Sequence, residues 1–115
     1  MDNRLNDALA FANYRLTLQV QRQNIEARIN AALLFSFQGA IFKATPELIS
    51  YADYVSRLGN TTVFVEDQSS NVIEVIDITG FMRLVFETHQ SALQLKQQEQ
   101  HRLKSARSTA KIVGL

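Results

Sequence analysis

The chain has 115 residues and almost balanced charge, with 12 Lys and Arg against 11 Asp and Glu. That length is typical of one domain, and a net charge of +1 excludes a strong overall field for attracting nucleic acid. The absence of cysteine excludes disulfides, thiol catalysis and thiolate metal sites.

The first predicted element is a long helix over residues 2–36, with two separate apolar lines. The Leu5 line consists of Leu5, Leu9, Ala12 and Leu16. The Phe11 line consists of Phe11, Leu18, Ile25, Ile29 and Ala32. Two apolar lines on one helix indicate two contact surfaces. We assign Phe11, Leu18 and Ile25 to an interface between subunits; in the alternative, the last helix covers one line and a hairpin the other.

The centre of the chain predicts a core segment, a short strand and a short helix. Residues 31–37 are apolar nearly all round and are expected in the densest part of the core, with Gln38-Gly39 ending the long helix. Residues 40–43 fit an edge strand. Thr45-Pro46-Glu47 is a strong helix start, and it predicts a helix over 46–58.

The second half of the chain predicts a β-hairpin followed by another long helix. Residues 61–66 and 72–76 are rich in β-branched side chains, and the five turn-forming residues 67–71 separate them. Asp77 is placed to cap a helix over 78–107. After Leu95 this helix becomes polar, so its distal half cannot belong to a core.

The fold class is therefore α+β. Two long helices and one short helix pack with a small antiparallel β-hairpin sheet, which gains a third strand if residues 40–43 join it. We expect one domain over 1–107 and a tail over 108–115. The core is expected at ten apolar positions: Leu33, Phe35, Phe37, Ile49, Val55, Val63, Val65, Val75, Phe81 and Val85.

The long helices also predict self-association. A helix of 35 residues is ~52 Å long, whereas a compact chain of this size has a radius of gyration of only ~13 Å. Both helices must overhang the core or pack on something else. We expect a homo-oligomer, most simply a dimer.

No catalytic or cofactor signature is present. The carboxylates Glu66, Asp67, Glu74 and Asp77 are interpreted as solvating the hairpin. His89 and His101 lie 12 residues apart, not at the spacing of a helical metal pair. The longest apolar run, 31–42, is far shorter than the ~20 residues that span a bilayer. We therefore expect no enzyme activity, cofactor, metal or membrane segment.

The C-terminal end is the predicted partner-binding element. It combines cations with an apolar terminus at Arg102, Lys104, Arg107, Lys111, Ile112, Val113 and Leu115. A polar helix that ends in apolar residues favours docking on an unidentified protein partner. In the alternative, the cations bind nucleic acid within a transcription complex, although no aromatic residues are interleaved to stack on bases.

Three segments carry a family resemblance: LNDALAFANYRLTL at 5–18, TPELISYADYV at 45–55 and LKSARSTAKIV at 103–113. They resemble the small uncharacterised proteins of tailed bacteriophages, including those of cyanobacteria. The resemblance implies a phage origin, a location in the host cytoplasm or in the virion, and a role as a virion component, an assembly factor or a modulator of a host protein. The leading interpretation is a non-enzymatic, self-associating interaction protein. A small oligomeric protein that sequesters a ligand at a subunit interface is a further alternative.

Overall fold

The computed structural model describes residues 3–112, with side chains for residues 3–106. The elements in chain order are α1 (Asn3–Ala32), β1 (Leu34–Phe37), β2 (Ala40–Lys43), α2 (Pro46–Arg57), β3 (Val63–Glu66), β4 (Val72–Val75) and α3 (Ile78–Ile112). In the described part of the chain, three helices combine with two small antiparallel sheets. The fold is α+β, as predicted.

The molecule is elongated. Its principal extents are 72 × 26 × 19 Å and its radius of gyration is 21.1 Å, against ~13 Å for a compact chain of this size. Residues 33–90 form a head that contains both hairpins and α2. Helix α1 and the distal part of α3 pack together and extend from the head as a stalk. The long helices overhang the head, as their lengths predicted.

The predicted first helix was too long at its C-terminal end. Helix α1 ends at Ala32, and strand β1 occupies residues 34–37, of which 34–36 were expected to be helical. Along this strand Phe35 is buried and Phe37 half-buried, whereas Leu34 and Ser36 are exposed. This alternation is the period of a strand, but a short apolar run does not distinguish strand from helix by sequence alone.

Gln38 and Gly39 form a hairpin turn and do not end a helix. Their φ angles are +49° and +76°, and Phe37 pairs with Ala40 on either side of them. Positive φ at both central residues defines a two-residue type I′ turn, whose twist matches that of the flanking strands. The glycine therefore supplies left-handed backbone at a strand turn, not at a helix terminus.

The two hairpins form separate two-stranded sheets, so the three-stranded sheet considered from sequence is not formed. The Gln38 side chain joins them. Its Nε2 donates to the Glu74 carbonyl at 2.8 Å, and the Ile76 amide donates to its Oε1 at 3.0 Å. The Gln68 amide also donates to the Ile41 carbonyl at 2.9 Å, so isolated hydrogen bonds, and not a ladder of them, link the two hairpins.

The starts of the other two helices are as predicted. The Thr45 hydroxyl accepts from the Leu48 amide at 3.1 Å, and Asp77 Oδ1 accepts from the Gly80 amide at 3.0 Å. Each contact satisfies an amide that has no partner inside its helix. Helix α3 continues to Ile112, so the predicted boundary between domain and tail at 107/108 is not a helix end.

The core is organised around Phe81. Its ring lies 5.2 Å from those of Phe37 and Phe42 in edge-to-face geometry and 5.7 Å from that of Phe35. Edge-to-face pairs add to the stabilisation that burial alone provides. Seven of the ten predicted core residues are buried; Leu33, Phe37 and Ile49 are half-buried. Prediction missed Phe42, which is among the largest fully buried side chains.

His89 has a structural role in the head. Its Nδ1 lies 2.8 Å from the Ala44 carbonyl oxygen. Because a carbonyl oxygen can only accept, Nδ1 must carry the proton in this contact. The hydrogen bond ties α3 to the segment between β2 and α2.

We expect Phe81→Ala to lower the free energy of unfolding by about 3–5 kcal/mol, because the substitution removes a fully buried ring and leaves a cavity. Phe86→Ala is the matched control: Phe86 lies on the same helix but is 52% exposed, so we expect a loss below about 1 kcal/mol. Urea denaturation followed by circular dichroism measures both losses. Equal losses would contradict the central place of Phe81.

Candidate functional site

The Phe11 line is the face of α1 that packs on α3. Ile25 is only 9% exposed, and Leu18, Ile29 and Ala32 are half-buried. Ile25 and Leu103 of α3 line the same two cavities in the stalk. This line is therefore occupied within a single chain over most of its length.

The predicted subunit interface at Phe11, Leu18 and Ile25 needs correction. Ile25 belongs to intramolecular packing, and Leu18 is already half-buried. Phe11 alone of the three exposes most of its side chain, and the Arg15 guanidinium lies 5.9 Å from its ring centroid. Of the alternative considered from sequence, the part in which α3 covers one line of α1 agrees with this arrangement, whereas the part in which a hairpin covers the other line is wrong, because Leu5, Leu9 and Leu16 are exposed.

A buried carboxylate lies in the stalk. Glu99 of α3 is 7% exposed and forms ion pairs with two arginines. Arg28 of α1 contacts Glu99 Oε1 at 3.2 Å, and Arg102, one turn further along α3, contacts Oε2 at 2.5 Å. Because a buried carboxylate needs its partners, this arrangement favours a single register of α1 on α3.

The Leu5 line points away from α3. Residues advance by about 100° each along a helix, which places the Leu5 line about 150° from the Phe11 line. Val20 extends it by one turn. We call Leu5, Leu9, Ala12, Leu16 and Val20 the outward stripe. Its four large side chains are 45–59% exposed, and every residue from 3 to 17 is exposed.

A groove of about 630 Å³ runs between α1 and α3 on one side of the stalk. Its apolar floor includes Ile29 and Leu103, and its rim carries Arg22, Lys96 and Lys104. Glu26 is the carboxylate in the lining. The groove therefore combines an apolar surface with a net positive rim. The groove contains one predicted partner-binding residue, Lys104. Arg102, another of the predicted residues, instead forms an ion pair with Glu99.

The other predicted partner-binding residues lie at or beyond the C-terminal end of the described residues. Arg107, Lys111 and Ile112 belong to α3, but their side chains are outside the described set. Val113 and Leu115 lie outside the described residues.

Charge is segregated along the long axis, which the overall charge of +1 conceals. The head, residues 33–90, has three cations against seven carboxylates, a net charge of −4. Residues 91–115 have five cations against one carboxylate, a net charge of +4. An acidic head therefore continues into a basic distal α3.

The burial of Glu99 and its ion pair with Arg102 were missed from sequence, although the sequence contains a signal for both. Glu99 lies seven residues after buried Ala92 and four before Leu103, so the helical period places it on the apolar line of α3. Arg102 follows at the spacing that allows an ion pair on one helix. The groove itself could not be inferred, because it depends on how α1 and α3 pack.

Among residues 3–112 no cluster of three or more His, Cys, Asp or Glu side chains is arranged to hold a metal ion. No helix in that range is long and apolar enough to cross a membrane. Comparisons with protein-family models, curated proteins and solved structures gave no match. Functional inference therefore depends on the surfaces of the molecule.

We expect Glu99→Gln to loosen the stalk. The variant keeps the shape of the side chain but removes the charge that pairs with Arg28 and Arg102. Hydrogen bonds to charged groups contribute about 1.5–3 kcal/mol, but both arginine side chains are more than half exposed. Solvent screening reduces the expected loss to about 1 kcal/mol. Amide hydrogen exchange should become faster in residues 19–30.

Asp53→Asn is the matched control, since Asp53 forms an exposed i,i+4 pair with Arg57. Such pairs contribute only ~0.3–0.5 kcal/mol, and exchange in the stalk should not change. Unaltered stalk exchange in Glu99→Gln would contradict the assigned role of the carboxylate.

Proposed function

We propose that this protein is a non-enzymatic, self-associating interaction protein, and that the outward stripe is its contact surface. The observation that carries the proposal is the exposure of four large aliphatic side chains on one face of a helix that extends beyond the head. A contiguous apolar surface of this kind is typical of interaction sites. Within the described part of the chain, no other element covers the outward stripe.

The size of the stripe supports association of moderate strength. Each half-exposed aliphatic side chain contributes up to about 1.5 kcal/mol when it is buried, and two copies provide eight such side chains, or at most about 12 kcal/mol in all. Association costs at least ~4 kcal/mol in lost translational and rotational freedom. The balance is at most about 8 kcal/mol, which corresponds to about 1 µM, and we expect a dissociation constant between that limit and about 100 µM.

The biological setting that we propose rests on the phage resemblance of residues 5–18, 45–55 and 103–113. A virion component, an assembly factor or a modulator of a host protein would each use self-association. An unidentified protein partner at the C-terminal end of α3 remains part of this proposal.

The double variant Leu9→Asp and Leu16→Asp should be monomeric at ~100 µM while it keeps its helical content, because both positions are exposed within a single chain. Two carboxylates on the stripe would have to be desolvated in a dimer. Leu93→Asp is the control, since Leu93 is 45% exposed on α3, and it should associate like the unmodified protein. Light scattering measures the mass; an unmodified protein that is monomeric at ~100 µM would overturn the proposal.

A second candidate function is binding of nucleic acid as an accessory of a transcription complex. The observation that favours it is the juxtaposition of Arg22, Lys96 and Lys104 on the rim of one groove. A line of cations can follow a phosphate backbone, and the binding that results weakens steeply with salt.

This second function predicts that Lys96→Glu combined with Lys104→Glu abolishes a salt-sensitive shift of single-stranded or duplex probes in gel electrophoresis. Reversal of Arg83, which lies on the head, is the control and should have little effect. If the unmodified protein binds no probe at 50 mM salt, the nucleic-acid function fails and self-association is unaffected.

A further inference from the structure

We propose that two copies pair antiparallel through their outward stripes, tip to tip, with a twofold axis between Ala12 and Asn13. This inference rests on the proposed self-association and adds the partner, the orientation and the register. The occupant of the stripe is a second copy of the same helix α1.

The four large side chains of the stripe are symmetric about its centre, with intervals of four, seven and four residues, and Ala12 has Asn13 as its counterpart. Antiparallel pairing about position 12.5 places Leu5 opposite Val20 and Leu9 opposite Leu16. A twofold contact requires this property, because residue i must meet residue j while j meets i. A foreign partner would not require the stripe to match its own reverse.

The centre of the stripe suits a close crossing. Ala12, the smallest member, lies next to the proposed axis, so the two helices can approach to the 8–10 Å separation of well-packed pairs.

Parallel pairing is opposed by sequence and by charge. In a parallel pair, the heptad position of Leu9 and Leu16 continues to Gln23. The preceding heptad position continues to Gln19, so two polar amides would lie in the contact. Parallel stalks would also bring two heads of net charge −4 side by side. Tip-to-tip pairing keeps these heads much further apart than the Debye length of about 8–10 Å.

The flanks of the stripe place few charges in the contact. Asn6, Asn13, Thr17 and Gln19 are uncharged, whereas Arg15 turns towards the Phe11 ring. Residues 5–20 provide a contact ~24 Å long and ~10–12 Å wide. The dimer therefore lies at the small end of specific interfaces, below ~1,200 Å² of total buried surface, which agrees with micromolar affinity.

Cysteine cross-linking tests the register, and the chain provides a clean background because it has no cysteine. Four single variants of the full chain are needed: Leu5→Cys, Ala12→Cys, Val20→Cys and, as a collision control, Leu93→Cys. Each is oxidised alone at ~100 µM, and Leu5→Cys is also mixed with Val20→Cys. A disulfide requires Cα atoms within roughly 7 Å, so rapid linking indicates that the two positions approach closely in the dimer.

The proposal predicts rapid cross-linking of Ala12→Cys alone and of the mixture, at least tenfold faster than Leu5→Cys, Val20→Cys or Leu93→Cys alone. Rapid self-linking of both Leu5→Cys and Val20→Cys would indicate parallel pairing and overturn the register. A stable dimer by light scattering with no link above the Leu93→Cys rate would place the contact elsewhere and also overturn it. A monomer under all conditions would remove the proposed self-association itself.

Discussion

The packing of α1 on α3 is the constraint on which the rest of the structure depends. Both helices extend beyond the head, and there each can cover apolar residues within the chain only by contact with the other. Their shared face takes up the Phe11 line from Leu18 to Ala32, and the ion pairs of Glu99 favour one register. Because α1 has a second apolar line about 150° away, this packing leaves the outward stripe exposed.

The head is held together by aromatic packing and carries a net negative charge. Phe81 holds three other phenylalanine rings from two strands against α3, and the Gln38 side chain joins the two hairpins. The same region carries the acidic excess, while distal α3 carries the basic excess. The molecule is therefore polar along its long axis, and the apolar stripe lies at the end remote from the acidic head.

Local signals predicted most elements, and long-range packing decided the rest. Thr45 and Asp77 marked helix starts because capping is a local interaction. Residues 34–36 were misassigned because a short, largely apolar run fits strand and helix equally well, and the turn at Gln38-Gly39 was taken for a helix end. The two lines of α1 were evident from sequence, but which of them faces α3 depends on contacts more than 70 residues apart, such as Arg28 with Glu99.

The most direct test of the account is small-angle X-ray scattering over a concentration series from about 5 to 300 µM, a range that brackets the expected dissociation constant. A single chain has a radius of gyration of 21.1 Å and a longest extent of 72 Å. Tip-to-tip pairing with ~24 Å of overlap predicts that the longest dimension rises with concentration to about 120 Å. A radius of gyration that stays at 21.1 Å throughout the series would contradict the account.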